Sequence, residues 1–180
     1  MGGTIAVESE LGAGTTFTLY LDFERVEKED VKKAMDNQSS HQNALTHALP
    51  GKKILLTEDH PLNAEIARKL LEKAGCSVTW VQNGQQCVDT FSESTPNAFD
   101  LILMDIRMPV MNGLEAAKQI RALARADAKS IPIVAMTANA YDEDVKKSLD
   151  AGMNAHLAKP IAPTALYETM ARVLPEKEHA

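Results

Sequence analysis

Glu58 and Asp59 follow the apolar run Ile54-Leu55-Leu56, and Asp105 follows Leu101-Ile102-Leu103-Met104. Thr137 and Ala138 follow Ile133-Val134-Ala135-Met136, and Lys159-Pro160 follow Ala155-His156-Leu157-Ala158. If these runs are neighbouring parallel strands, the residues just past their carboxyl ends converge on one crevice. Three carboxylates gathered there repel one another unless a cation joins them, so the cluster predicts a hard divalent ion, Mg²⁺ first. A hydroxyl and an ammonium opposite them suit a phosphoryl group, whose spread negative charge they stabilise. A single Asp after a strand is an ordinary turn or helix cap. Five positions at the ends of four runs form a constellation.

The elements that would position these residues are legible in the pattern from Lys53 onward. With Val78-Thr79-Trp80-Val81 there are five apolar runs, several of them continuous, as in parallel strands buried on both faces. Between them lie amphipathic stretches, the first over Pro61 to Ala74 with Leu62, Ile66 and Leu70 at helical spacing and Gly75 as its stop. The others run from about Gln85 to Glu93, Gly113 to Ala126, Asp142 to Ala151 and Pro163 to Val173. Strict alternation of five strands with five helices predicts a doubly wound α/β domain over residues 52–175.

The remainder of the chain reads differently. Residues 1–23 alternate and carry a Gly-bounded turn at Leu11-Gly12-Ala13-Gly14, which predicts a β-hairpin. Phe17, Leu19, Leu21 and Phe23 fall on one side of it, and two strands alone are marginal in water. Residues 24–51 are polar and end in Leu49-Pro50-Gly51, read as a linker, and residues 176–180 as a tail.

Composition narrows the function. The 180 residues are 44% hydrophobic and 24% charged, ordinary for a folded protein, with a formal charge of −6. No basic stripe is present, so nucleic acid is not an expected partner. The apolar runs are strand-sized, short of the roughly 20 residues a membrane span needs, so no membrane contact is expected. Two cysteines, Cys76 and Cys87, form no CxxC pair and read as reduced, half-buried thiols in a cytoplasmic protein.

Residues 53–174 resemble a response-regulator receiver domain. The resemblance rests on Leu56-Thr57-Glu58-Asp59-His60, on Met104-Asp105-Ile106-Arg107-Met108-Pro109-Val110-Met111-Asn112-Gly113, on Met136-Thr137-Ala138-Asn139-Ala140 and on Lys159-Pro160. It implies a flavodoxin-like fold, with a five-stranded parallel sheet, that accepts a phosphoryl group from phosphohistidine onto Asp105. It further implies Mg²⁺ held by Asp59 and Asp105, by Glu58 through water and by the backbone carbonyl of Arg107. Lys159, joined to Pro160 by a cis peptide, would pair with the phosphoryl oxygens, and Thr137 would close on them as a switch. Arg107 and Asn139 stand where family members tune the phosphoryl lifetime. His156 occupies the position of a switching aromatic residue and would make that motion pH-dependent. The same likeness places the docking face for a phosphohistidine or phosphotransfer partner at His60, Pro61 and Leu62 on one lip, and at Pro160 and Ile161 on the other.

The first 18 residues resemble the last strands of a sensor histidine kinase's ATP-binding domain, without its nucleotide-contacting motifs. The two likenesses imply the end of a hybrid histidine kinase: kinase strands, linker and receiver, relaying phosphate, with weak self-association through the hairpin. The competing reading is a non-phosphorylated docking or autoinhibitory module. A haloacid-dehalogenase-like phosphohydrolase also uses Asp, Mg²⁺, Thr and Lys, but it needs a second Asp where this chain has Arg107.

Overall fold

In the computed structural model, residues 3–22, 49–138 and 142–174 are described. The chain divides into two units, Met1–Ser39 and Ser40–Ala180. Within the first, β1 (Gly3–Glu10) and β2 (Gly14–Leu21) pair antiparallel, with Ile5 opposite Leu19 and Val7 opposite Phe17. These four side chains and Leu21 share one face by alternation, and all five are exposed. The expected hairpin is present. Phe23, the linker from 24 to 48, His41, His47, Asn139 and the tail lie outside the described residues.

The second unit holds β3 (Lys53–Thr57), α1 (Pro61–Lys73), β4 (Ser77–Val81), α2 (Gly84–Glu93), β5 (Leu101–Asp105), α3 (Gly113–Ala122), α4 (Ala126–Ser130), β6 (Ile133–Thr137), α5 (Asp142–Asp150), β7 (Ala155–Ala158) and α6 (Pro163–Val173). The five strands form one parallel sheet in the order β4-β3-β5-β6-β7. The order reverses between β3 and β5, and in such sheets the crevice opens at that reversal.

Continuous apolar runs are explained by burial on both faces. Ile54, Leu56, Leu101, Leu103, Val134 and Met136 pack on the α1 and α6 side. Their strand neighbours Leu55, Ile102, Met104, Ile133 and Ala135 pack on the other side, with Cys87, Phe91 and Ile120. Each fully buried Leu or Ile contributes roughly 1.5–3 kcal/mol relative to exposure. The edge strands β4 and β7 are only partly buried, and their sequences are correspondingly less apolar.

Four expectations need correction. The spacing Leu62, Ile66 and Leu70 does not mark the buried face of α1: Ala64, Ala67 and Leu71 are buried and Leu70 packs partly against the same core, whereas Leu62 is 62% and Ile66 47% exposed. The small side chains Ala64 and Ala67 let the helix approach the sheet, and Leu62 and Ile66 are left outward. The helix expected from Gly113 to Ala126 ends at Ala122, where Leu123 turns extended (φ −62°, ψ 140°), and α4 follows as a separate short helix. The reason is tertiary: Arg125 leaves the helix to hydrogen-bond the carbonyls of Phe91, Ser92, Ser94 and Thr95 and to stack over the Phe91 ring. Finally, Leu49, assigned to the linker, is fully buried, and its carbonyl accepts hydrogen bonds from Lys52 N and the Cys76 thiol. The packed unit therefore reaches back to Leu49. Both cysteines are buried rather than half-buried, and desolvation pushes their thiols up to about 11 for Cys76 and about 12 for Cys87.

Candidate functional site

Each strand delivers its residue at the same end of the sheet. Asp105 is the last residue of β5 and Thr137 the last of β6, while Glu58 and Lys159 are the first residues after β3 and β7. Backbone bonds hold these ends in step: Glu58 N donates to Val81 O, Ile106 N to Met136 O and Lys159 N to Thr137 O. One oxygen each from Glu58, Asp59 and Asp105 lies within 4.8 Å of the others. Glu58 is 1% and Asp105 5% exposed, and Asp59 is the most accessible of the three.

One ammonium serves the two buried carboxylates. Lys159 Nζ lies 2.5 Å from Glu58 Oε2 and 2.7 Å from Asp105 Oδ2. The second oxygens have their own donors, Asn63 Nδ2 at 3.0 Å from Glu58 Oε1 and Arg107 N at 3.1 Å from Asp105 Oδ1. Burial raises the Asp105 carboxyl above its ordinary pKa, and the Lys159 hydrogen bond and charge and the Arg107 N–H offset this only in part. Burial alone would lower the Lys159 pKa, but its bonds to Asp105 and Glu58 outweigh that, and the net direction is upward. The peptide between Lys159 and Pro160 is cis, as the resemblance implies.

A glycine makes the close approach possible. At Gly113 a Cβ would lie 2.1 Å from the Asp105 carbonyl oxygen, so the first residue of α3 must lack one. The Asn112 side chain caps the same helix by accepting from Glu115 N.

Oxygen donors with clustered negative charge suit Mg²⁺, which takes oxygen ligands and leaves Lys159 for a further anion. The donor set therefore fits that ion. Of the expected docking residues, Pro160 and Ile161 line one small apolar cavity with Asn63, Ile66 and Lys159, whereas His60, Pro61 and Leu62 are not among its lining residues. Leu62 and Pro160 are exposed. His156 is placed apart from the acidic cluster: it lines an open cleft at the β7 edge with Leu157, Ala158, Ala165, Glu168, Thr169 and Arg172.

Two contributors were not legible as site residues. Asn63 stands five residues after Glu58 and reads as a polar position of the first helical turn. Trp80 reads as a strand residue, yet its indole Nε1–H donates to Glu58 O at 2.9 Å. Only the sheet register brings it there.

Residues 54–171 match the family described as the response regulator receiver domain. The chain belongs to this family. Over 167 residues it is 38% identical to the aerobic respiration control sensor protein ArcB of Escherichia coli, a match covering 92% of this chain and 20% of ArcB. The receiver domain of the sensor histidine kinase PA1611 of Pseudomonas aeruginosa is 39% identical with a TM-score of 0.62, covering 68% of this chain and 97% of that one. That structure carries a magnesium ion in its active-site cleft. The receiver of Ssk1 from Saccharomyces cerevisiae, solved with the histidine phosphotransfer protein Ypd1, is 32% identical with a TM-score of 0.61. It covers 69% of this chain and 90% of that one. The receiver thus matches solved receivers almost end to end, while the chain spans a fifth or less of the curated relatives it resembles. Among the described residues no helix is long and apolar enough to cross a membrane.

Proposed function

We propose that this receiver takes a phosphoryl group from phosphohistidine onto Asp105 and passes it on within a phosphorelay. The observation that carries the reading is the single Lys159 ammonium shared by Asp105 and Glu58, with Asp59 beside them. A docking or autoinhibitory module has no need of two buried acids on one lysine with a third alongside.

In the proposed step a carboxylate oxygen of Asp105 forms the O–P bond as the N–P bond of phosphohistidine breaks. The electron pair of that bond stays on the imidazole nitrogen. The transition state is loose and anionic, so the protein contributes mainly position and charge. Mg²⁺, when bound, supplies charge neutralisation for the transferring oxygens, and Glu58, Asp59, Asp105 and the Arg107 carbonyl are the ligands we assign to it. Lys159, released in part from its carboxylates, neutralises the phosphoryl oxygens on the opposite side, and the Thr137 hydroxyl closes on them as the switch. Arg107 and Asn139 are assigned to lifetime tuning and His156 to the second step of the switch.

His60, Pro61 and Leu62, with Pro160 and Ile161, are the proposed docking face for a histidine phosphotransfer partner. Support comes from the apolar cavity that Pro160 and Ile161 line with Asn63 and Ile66 of α1, and from the complex of the Ssk1 receiver with Ypd1. The hybrid-kinase setting is supported by the ArcB match, which covers 92% of this chain where the receiver family spans residues 54–171. The hairpin would then be the closing strands of a kinase domain.

Acetyl phosphate or phosphoramidate with Mg²⁺ should add one hydroxylamine-labile phosphoryl group to the chain, read by intact mass. Asp105→Asn should abolish it, since an amide is no nucleophile. Unchanged labelling of that variant, or a stable adduct on Asp59, would sink the assignment.

A further inference from the structure

We infer that Trp80 is a positioning residue for the acidic pair: its indole N–H sets the peptide plane that joins Glu58 to Asp59. The carbonyl oxygen it binds at 2.9 Å belongs to that peptide unit, which is planar and moves as one body. The preceding peptide is held as well, because Glu58 N donates to Val81 O at 3.1 Å. Two consecutive residues of the edge strand β4 thus hold both backbone polar groups of Glu58.

The consequence differs for the two acids. Glu58 has side-chain restraint of its own, from Asn63 on one oxygen and Lys159 on the other. The Asp59 carboxylate has no hydrogen-bond donor among the described residues, so its aim depends on the backbone that carries it. That backbone begins at the carbonyl Trp80 holds. A planar unit anchored at its oxygen restricts the rotations that would swing Asp59 away from Glu58 and Asp105.

Trp80 is suited to this geometrically. It lies opposite Leu56 in the β3–β4 register, two positions short of Glu58 on the neighbouring strand, and the long indole spans that offset. It stands two residues after Val78, which packs on the α1 side of the sheet, and so shares that face. A smaller or purely apolar side chain at this position would leave the carbonyl to water, since β4 is an edge strand.

The inference rests on the proposed Mg²⁺ site, and its test separates the two. Mg²⁺ binding would be measured calorimetrically on the full chain, on Trp80→Phe, and on a chain carrying 3-benzothienylalanine at position 80. The last replaces the indole N–H by sulfur at nearly constant shape. Both altered chains should bind Mg²⁺ about 3- to 10-fold more weakly, the range a neutral hydrogen bond supplies. Trp80 is the only tryptophan, so its emission should shift during the Mg²⁺ titration with the calorimetric midpoint. A merely structural role would lower the melting temperature and leave the affinity of the folded fraction unchanged. Equal affinity in the benzothienyl chain, or emission that ignores Mg²⁺, overturns the inference while the site stands. No Mg²⁺ binding by the parent overturns the site and the inference together.

Discussion

At the carboxyl ends of β3 and β5, one lysine serves two buried carboxylates, with a third carboxylate alongside. Where α4 begins, Arg125 serves the one carboxylate of Asp127 through two bonds of 2.7 Å, and spreads its other donors over the carbonyls at the end of α2. Asp127 also accepts from Asn97 N, whose residue has φ +61°. The two corners share residue types and depth but not balance. Negative charge exceeds positive in the first, and every group has a partner in the second. The first carries the excess charge that the proposed Mg²⁺ would balance, and the second holds a loop in place. The opposite directions of the Asp105 and Asp127 pKa shifts report this difference: upward from burial for Asp105, downward from the arginine bond for Asp127.

Breaking the balanced corner should have the largest effect on stability. Arg125→Ala removes the Phe91 stacking, the bonds to the end of α2 and the partner of a buried carboxylate. A loss of about 3 kcal/mol in urea unfolding is expected. A loss below about 1 kcal/mol would mean that the loop is held by packing alone.

The next effect is a pH dependence. The Arg125 bond depresses the Asp127 carboxyl to about 2. A carboxyl depressed in the fold contributes stability that is fully present above its unfolded value of about 3.9 and is lost as pH falls through the folded value. Allowing for solvent screening, about 1–2 kcal/mol should disappear between pH 5 and pH 2, and Asp127→Asn should flatten that part of the curve. Identical acid limbs for parent and variant would contradict the assignment.

The smallest effect should have the opposite sign. In the acidic pocket, Asp59→Ala removes a like charge within 4.8 Å of two others, so the metal-free protein should gain about 1 kcal/mol. Millimolar Mg²⁺ should raise the melting temperature of the parent, and the same change should abolish that rise. Destabilisation by Asp59→Ala without metal would show that the cluster is not under mutual repulsion.

Much of this was legible in the residues. Glu58, Asp59, Asp105, Thr137 and Lys159 each follow an apolar run, and parallel strands necessarily present such positions together. The hairpin was legible for a different reason, because Gly12 (φ +86°) and Gly14 (φ +111°) adopt backbone that other residues resist. The buried face of α1 was not legible, since helical spacing marks Leu62, Ile66 and Leu70 as apolar without saying which side meets the sheet. Nor was the break at Leu123, where good helix formers continue in the sequence and Arg125 is drawn away by Phe91, distant in the chain.

What the sequence determined by itself is therefore local and periodic: the strands, most of the helices, the turn glycines and the identity of the acids and the lysine. The tertiary structure alone decided which partners those groups acquire. Lys159 stands 54 residues from Asp105 and 101 from Glu58, and Trp80 stands 22 from the carbonyl it holds. No local preference encodes such pairs. They follow from strand order and register, which are set when both faces of the sheet bury their apolar side chains together.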